Sequence, residues 1–562
     1  MSPLFSRLSR ASVAVLCSAF IFSAAVPASA DAPPADPGVA RLGLLTHEVD
    51  VTRADSGDVF AATLNTPLSI GDDITTLDDA YAEIQFDYAA SLRVAPDTQL
   101  RFTQLDPGDH VAQLAQGSVD MREFRGLDAH PEIDTPGAAI RPGSSGSVRV
   151  TVDGDGNTEV TVRAGQADVT AAASTQTVTE GTSVMVTGSG DGAQIAAIGS
   201  VPLDAFDTFN NDRDAYLERF HDQRYVDAGL VGADDLDGYG HWIATADYGQ
   251  VWVPDNQDDG WAPYHSGRWV WEPYYGWTWV AAEPWGWAPY HYGNWFYAAG
   301  TGWCWYPGSY AAAAPVYRPA LVAFFSFGGG NIGVSFGNVG WVPIAPGEPF
   351  HPWWGYGGVN TTVINTTVVN NYIYRNGSAP GGAVAVTNGS FSRGNFSHVT
   401  PVTPEQFAAV EPVRGLVPIV PTSRNLGFDG AKLAPLETTS QPGGRFAGFA
   451  PPAAAPKPFA LQRAAVAGAA SSAYPERAQT FEQQLHPDAA KPDVVKPEAA
   501  APGDVKAPDA RPDPFARFSP APAIENKPAP APGYARPATA APYHLQPAAK
   551  PKKHKPKPAP SP

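Results

Sequence analysis

The side chains with the most evident chemical potential are aromatic rings and histidines that recur at matching positions of one glycine-rich stretch. Exposed planar rings with polar neighbours can stack on sugar rings or on peptide side chains, and they are common in ligand sites. On this basis we assign a candidate ligand-binding face. Its members are Trp261, Tyr264, His265, Trp269, Trp287, Tyr290, His291 and Trp295.

These residues belong to a tandem repeat in which Gly-x-Trp is followed, after six residues, by Gly-x-x-Trp. The copies begin at Gly240, Gly267 and Gly293, so their offsets are 27 and 26 residues, and segments 260–271 and 286–297 share eight of twelve residues. A period of this length is typical of one supersecondary unit copied in tandem. All 15 tryptophans lie between Trp242 and Trp354.

Glycine, proline and tryptophan exclude long helices here, so each copy is predicted to be a β-hairpin. Rings two residues apart share one face of a strand, which applies to Trp269/Trp271, Trp277/Trp279, Trp285/Trp287 and Trp303/Trp305. The rings then form either the core of a repeat that lacks aliphatic residues or an exposed platform. Both uses can also combine, with one face buried and the Tyr264/Tyr290 side exposed.

Other candidate chemistry favours structural roles. His265 and His291 occupy the same repeat position, which favours one structural hydrogen bond made twice over metal ligation. The segment 153–157 resembles the start of a calcium loop but lies between two strands, where Asp-Gly is a usual turn, and 255–260 is an acidic turn. No metallohydrolase, nucleophile-elbow or phosphate-loop motif is found, so no enzyme activity, metal or cofactor is predicted.

The charge balance and the amino terminus set the class of protein. A net charge of −19 disfavours binding to nucleic acid through phosphates. Residues 1–30 combine a basic start, an apolar run and Ala28-Ser29-Ala30, which predicts a cleaved secretory signal, with a membrane anchor as the alternative. We expect an exported protein, periplasmic or extracellular, with no membrane span after cleavage. Cys304 would then be the single cysteine and is read as a strand residue.

Residues 41–200, after a flexible leader at 31–40, are predicted to be a β domain, because short apolar runs alternate with turn signals. The segments 71–76, 82–86, 92–96 and 135–138 resemble the FecR domain, known from the periplasmic sensing part of anti-sigma regulators. The resemblance implies a β-rich interaction module. The chain lacks the regulators' cytoplasmic sigma-binding segment, which disfavours direct sigma-factor control.

Residues 201–238 are predicted to be a helical linker, because apolar residues return every three or four positions from Leu203 to Phe220, and a break near Asn210 is left open. Residues 239–402 form the aromatic repeat domain. The repeated GWAPYH and the later GWVPIAPGEP resemble the DUF6600 type of exported bacterial domain, a resemblance that implies a compartment but no reaction. A polar strand is expected at 359–370.

Residues 403–562 are predicted to be a disordered spacer, since 401–562 hold 32 of the 57 prolines and no tryptophan. The end of the tail carries a basic cluster that could contact anionic envelope polymers or serve only as a solvated tail. Its members are Lys550, Lys552, Lys553, Lys555 and Lys557.

The fold class is therefore mainly β: a FecR-like domain, a short helical linker, hairpin repeats and a disordered tail. The expected function is a non-catalytic envelope protein that binds a ligand or protein, including peptidoglycan or polysaccharide through the repeats. The alternative is a FecR-type signalling component that acts through a membrane partner. The partner is an unknown envelope protein or cell-wall polymer.

Overall fold

The structure is a computed structural model, and it describes a defined set of residues. They are 38–86, 90–106, 108–123, 131–218, 225–226, 230–255, 257–308, 315–327, 338–353, 374–396, 399–413, 415–429, 433, 446–448, 453–473, 475 and 478–485. The predicted signal segment, residues 31–37 of the predicted leader, the polar strand at 359–370 and the lysines from Lys550 to Lys557 lie outside this set. The predicted leader bound at residue 40 is slightly too late, because β1 begins at Ala40.

The first region is built from strands, as the alternating sequence predicts. They are β1 (Ala40–Leu45), β2 (Val49–Thr52), β3 (Val59–Ala61), β4 (Pro67–Leu68), β5 (Asp73–Thr76), β6 (Ala82–Gln85), β7 (Ala90–Val94), β8 (Gln99–Asp106), β9 (Asp109–Glu123), β10 (Glu132–Asp134), β11 (Ala139–Pro142), β12 (Gly146–Val152), β13 (Thr158–Ala164), β14 (Gln166–Ala171), β15 (Ser174–Thr179), β16 (Ser183–Thr187) and β17 (Gln194–Ile198). A short 3-10 helix, Gly190–Gly192, precedes the last strand.

Strand β9 joins two sheets. Its first half pairs with β8 and β10, and its second half pairs with β7 and β12. One sheet therefore has the order β4-β1-β6-β7-β9-β12-β13-β16-β17. The other has the order β3-β2-β5-β8-β9-β10-β11-β14-β15.

Gly117 lies where β9 passes from one sheet to the other. Its φ is +91°, and a Cβ atom there would lie 2.5 Å from the Cα atom of Thr98. Only glycine combines this backbone conformation with so close an approach of a neighbouring chain. The apolar side chains of both sheets then meet in one hydrophobic core.

Helix α1 (Ala205–Leu217) follows the β domain and packs on it through buried Phe206 and Leu217. Asp204 caps the amino terminus in a capping box with Asp207. The helix is continuous, so the break considered near Asn210 does not occur. The carbonyl of Asn210 accepts a hydrogen bond of 2.8 Å from Arg93 Nη1, which holds the helix on the sheet.

Glu83 anchors α1 through two arginines. Arg213 of the helix and Arg93 of β7 both contact its carboxylate, at 2.8 and 3.1 Å, and all three side chains are buried. Burial alone would raise the pKa of Glu83, but the two guanidinium charges outweigh it and lower the pKa to about 2. Glu83 is thus ionised throughout the neutral range.

The aromatic region contains the predicted hairpins. A 3-10 helix (Ala233–Gly238) leads into β18 (Gly240–Thr245) and β19 (Gly249–Pro254), followed by β20 (Gly267–Glu272), β21 (Gly276–Ala281), α2 (Trp287–His291), β22 (Asn294–Ala298) and β23 (Gly302–Tyr306). Hairpins β18–β19 and β22–β23 join in a four-stranded sheet, whereas β20–β21 stands as a two-stranded sheet. The hairpin prediction is confirmed in each copy.

One of the four tryptophan pairs predicted to share a strand face is wrong. Trp285 and Trp287 do not share a strand face, because Trp285 lies in a turn and Trp287 begins α2. Pro289 inside this segment lacks the backbone donor that a strand ladder needs, yet it is tolerated in the first turn of a helix.

A five-stranded sheet, four α-helices and two 3-10 helices complete the described chain. The sheet has the order β27-β26-β25-β24-β28. Its strands are β24 (Val322–Phe327), β25 (Asn338–Pro343), β26 (Val384–Thr387), β27 (Thr400–Pro401) and β28 (Val410–Pro412). The remaining elements are the 3-10 helices Arg375–Ser378 and Ser423–Asn425 and the helices α3 (Asn388–Ser392), α4 (Pro404–Phe407), α5 (Phe459–Ala473) and α6 (Ala478–Leu485).

The predicted start of the unstructured spacer at residue 403 is too early. Strand β28 completes a sheet, and α5 and α6 pack on the core through Val466, Ala470 and Phe481. A few well-placed apolar side chains order these segments although their average composition is that of a spacer. Residues 486–562 lie outside the described set.

Replacing Arg213 with methionine should lower the free energy of unfolding by about 3 kcal/mol, because buried Glu83 then keeps one of its two cationic partners. Urea unfolding followed by circular dichroism measures the change. Arg101→Met is the matched control: Arg101 pairs with Asp73 at a part-exposed site, so its loss should stay within about 1 kcal/mol. Equal losses in the two variants would contradict this account of α1.

Candidate functional site

The repeated tryptophans are cross-strand partners. Trp242 lies opposite Trp252, Trp269 opposite Trp279, and Trp295 opposite Trp305. The repeat thus encodes one ring pair per hairpin, and such pairs fix the register of an antiparallel ladder. In the second copy the two rings lie 5.4 Å apart at 67°, an edge-to-face arrangement that aromatic rings prefer.

The two glycines of each copy are required for two different structural reasons. The first glycine of each copy packs against the second tryptophan ring of the same copy: a Cβ atom on Gly240 would lie 2.4 Å from the ring of Trp252, and one on Gly267 2.6 Å from that of Trp279. The second glycine has a positive φ at the hairpin bend, +68° at Gly249 and +73° at Gly276. Neither place accepts a side chain readily.

Six of the eight residues of the candidate ligand-binding face are buried. They are Tyr264, Trp269, Trp287, Tyr290, His291 and Trp295, each at most 1% exposed. The expectation of an exposed Tyr264/Tyr290 side is therefore wrong. The rings fill the centre because the glycine-rich repeat supplies few aliphatic side chains, and each ring buries a large area. Trp261 and His265 are part-exposed.

The hydrogen bonds of the Tyr264 hydroxyl explain why its ring is buried. Its hydroxyl donates to the carbonyl of Tyr290 at 2.8 Å and accepts from the backbone N–H of Leu321 at 2.9 Å. The residue has a φ of +64°, a conformation that costs free energy in any residue except glycine. The two hydrogen bonds hold it there. They tie the segment before β20 to α2 and to Leu321, the residue before β24.

The two repeat histidines have structural roles, but they do not make the same hydrogen bond. Nε2 of His265 bonds the carbonyl of Gly381, and Nδ1 of His291 bonds the carbonyl of Arg318, both at 2.7 Å. Burial lowers the pKa of His265 and lowers that of His291 to about 3. Each ring is therefore a neutral donor, and the sequence equivalence does not extend to the partner.

A buried carboxylate, Glu283, lies beside these rings, and sequence reasoning missed it. Its Oε1 atom accepts from Trp261 Nε1 at 3.3 Å and from the Tyr290 hydroxyl at 3.1 Å. Burial raises its pKa to about 7, and these hydrogen bonds only partly offset that effect. The surrounding rings pack directly on one another, with the centroids of Trp261 and Trp285 5.8 Å apart.

A second cluster joins the β domain, the aromatic region and α5, and we call it the junction. Arg53 forms an ion pair with Glu272 and donates to the carbonyl of Trp271 at 2.9 Å. Gln462 of α5 accepts from Trp271 Nε1 at 2.8 Å and donates to Asp55 at 3.1 Å. These contacts span more than 400 residues of sequence, so no local pattern indicates them.

The junction holds more carboxylates than cations. Arg53 faces Glu272, Asp55 and Asp72, and all four side chains are buried. Burial raises the pKa of Glu272 to about 8 and that of Asp72 to about 6, with the Arg53 charge opposing each shift. The low polarity of the site keeps a proton in the cluster near neutral pH.

A neighbouring cluster strengthens the same interface. Arg41 of β1 donates to Asn65 and Gln85 and forms an ion pair with Asp235 in the segment before the first repeat. Asn65 in turn donates to the carbonyl of Glu283 at 2.9 Å. The β domain and the aromatic region accordingly share one continuous hydrophobic core.

The candidate cation sites are a turn and a loop. Asp153 accepts from the backbone N–H groups of Asp155 and Asn157, which closes the bend between β12 and β13, so the turn interpretation is confirmed. Within the described residues, no group of three or more His, Cys, Asp or Glu side chains is arranged to hold a metal ion. Cys304 lies buried in β23, and burial raises its pKa to about 11.

Tyr264→Phe should lower the free energy of unfolding by about 1–3 kcal/mol, because it leaves the Tyr290 carbonyl and the Leu321 N–H buried without this partner. Tyr297→Phe is the matched control: its ring is 40% exposed, and its change should stay within about 0.5 kcal/mol. Chemical denaturation followed by tryptophan fluorescence compares the two. A neutral Tyr264→Phe variant would remove the case for a structural role.

Glu272→Gln should flatten the pH dependence of stability. Because the pKa of Glu272 is raised from 4.5 to about 8, the folded protein holds this proton more tightly than the unfolded chain does. Its contribution is complete below pH 4.5 and is lost as the pH rises through about 8. Between these values the slopes of the free energy of unfolding should differ by up to about 1.4 kcal/mol per pH unit.

The measurement is urea unfolding at a series of pH values for the wild-type protein, Glu272→Gln and Glu180→Gln, whose residue is exposed. The Glu180→Gln curve should run parallel to that of the wild type. Should the Glu272→Gln curve also run parallel, Glu272 does not hold a proton in the junction.

Comparison with known proteins identifies one part of the chain. Residues 233–348 match the model of DUF6600, a family of unknown function. Among curated proteins none matches the chain. In the described residues, no helix has the length and apolar character that crossing a membrane requires.

Two solved structures of a candidate anti-sigma factor from Parabacteroides distasonis ATCC 8503 are similar to parts of the chain. The structure at 1.65 Å is 15% identical with a TM-score of 0.20; the match covers 23% of this chain and 59% of that one. The structure at 2.50 Å is 14% identical with a TM-score of 0.21, covering 33% and 99%. TM-scores of this size assign no fold family to the chain. The comparisons establish the DUF6600 match at 233–348, and this match confirms the sequence-based assignment of that region.

Proposed function

We propose that the chain is an exported, non-catalytic protein of the cell envelope that binds a partner protein through its β domain. The amino-terminal sequence, the FecR-like segments and the DUF6600 match, in that order along the chain, support export and an interaction role. The observation that carries the proposal is the sheet edge at β17, the last strand of the domain, which no strand of the described residues covers.

Strand β17 has the features of a strand that accepts another strand. Among the described residues it pairs with β16 alone, and Gln194, Ala196 and Ala197 are exposed. The strand contains neither a charged residue nor a proline. Natural proteins normally protect sheet edges with such residues, and an unprotected edge is a template for an added strand.

One edge of the other sheet is covered by the chain itself. Strand β3 is at that edge, where the backbone N–H of Leu433 bonds the carbonyl of Val59 at 2.9 Å and a Cβ atom on Gly427 would lie 2.7 Å from the ring of Phe60. The contrast with this covered edge favours β17 over β3 as the binding surface.

Two finer proposals differ in the kind of partner that the chain binds. The FecR resemblance favours a membrane protein to which the chain relays the state of the envelope. The second proposal is that the repeats bind peptidoglycan or polysaccharide. Because six of the eight residues of the candidate ligand-binding face are buried, the surface left for such a polymer consists of the part-exposed Trp261 and His265. The strand edge supports the protein partner.

The test compares Ala196→Lys with Ala408→Lys, both at exposed alanines, in tagged full-length protein isolated from crosslinked envelopes of the native cells. A charge on β17 should cut recovery of a specific partner by about tenfold, while Ala408→Lys recovers it like the wild type. Equal recovery with both variants would exclude the β17 edge. Sedimentation with purified peptidoglycan, equal for all three proteins, would support the polymer proposal instead.

A further inference from the structure

A cleft of about 330 Å³ lies where the aromatic region meets the carboxy-terminal helices. Its walls come from α3 and the residue after it, from the 3-10 helix Ser423–Asn425, and from the end of α6. The polar residues that line it include Asn388, Ser392, Arg393, Ser423, Arg424 and Gln484. Its volume is at the lower end of the range for small-molecule sites.

The walls of the cleft are fixed to one another by hydrogen bonds. Thr422 Oγ1 donates to the carbonyl of Ser392 at 2.6 Å, and buried Asn425 donates to the carbonyl of Phe391 at 3.1 Å. Arg463 of α5 donates to the carbonyl of Gln484 at 3.0 Å and so holds the third wall. The lining side chains are thereby carried on a preformed frame, which lowers the entropy cost of binding.

The two arginines of the cleft differ from three arginines that hold the regions of the described chain together. Arg41, Arg53 and Arg213 are each paired with a carboxylate. Arg393 and Arg424 are exposed, the lining contains no carboxylate, and no ion pair to either is found among the described residues. In a chain with 56 acidic and 37 basic residues, two unpaired guanidinium groups in one cleft form a local reversal of charge.

The donors of the cleft match one class of ligand. Guanidinium groups present a planar fork of N–H donors that fits the oxygens of a carboxylate or a phosphate. Hydroxyl donors from Ser392 and Ser423 and the amide of Asn388 lie in the same lining. We propose that this cleft binds the oxyanion group, carboxylate or phosphate, of a small molecule, with Arg393 and Arg424 as the charged contacts. The site is separate from the β17 edge and does not depend on it.

The test uses full-length protein at constant ionic strength and inorganic phosphate as the probe, with binding read from broadening of the phosphorus NMR line. Arg393→Gln/Arg424→Gln should weaken binding by about tenfold or more. The matched control, Arg101→Gln/Lys457→Gln, removes the same two charges from sites outside the cleft and should bind like the wild type.

Succinate separates the two sources of the oxyanion. If succinate displaces phosphate from the wild type at a concentration below the dissociation constant for phosphate, the natural group is a carboxylate. If displacement needs a concentration above that constant, the natural group is a phosphate. Equal phosphate broadening in the cleft variant and the control would overturn the proposal. Absence of binding of both probes to the wild type would overturn it as well.

Discussion

The contact between Arg53 and Glu272 is the one on which the arrangement of the chain depends most. It links a residue after β2 to the last residue of β20, and both side chains are buried. Removing Arg53 leaves the buried carboxyl groups of Glu272, Asp55 and Asp72 without the cation that they share, at a cost of about 3–5 kcal/mol. Trp271 and Gln462 extend the link to α5, so three regions far apart in sequence share one polar cluster.

The aromatic repeat acts in this structure as a core rather than as a surface. Each hairpin contributes a cross-strand tryptophan pair, and the rings pack on one another and on the β domain in one hydrophobic cluster. The surfaces that we propose for recognition lie elsewhere, at the edge strand β17 and in the cleft of Arg393 and Arg424. A rigid centre with binding surfaces at its periphery agrees with an interaction module.

The sequence predicts local structure well because local structure has local causes. The spacing of glycine and tryptophan predicts the three hairpins, and Asp153 to Asn157 predicts a turn. Period-two spacing indicates which rings share a face of a strand, but it does not indicate which face packs against another element. The burial of Tyr264 and Tyr290 therefore could not be predicted from the spacing. The junction joins residues 219 positions apart, and α5 is ordered by a few contacts that its average composition conceals.

The central claim is that the β domain and the aromatic region form one cooperative unit through the junction. All 15 tryptophans lie between Trp242 and Trp354, so their fluorescence reports on the aromatic region, while far-ultraviolet circular dichroism reports mainly on the strands of both regions. Urea unfolding of the full-length protein should give coincident transitions by the two probes, and Arg53→Met should move both to lower urea concentration. Two separate transitions in the wild type, or a shift of only one probe in Arg53→Met, would contradict the claim.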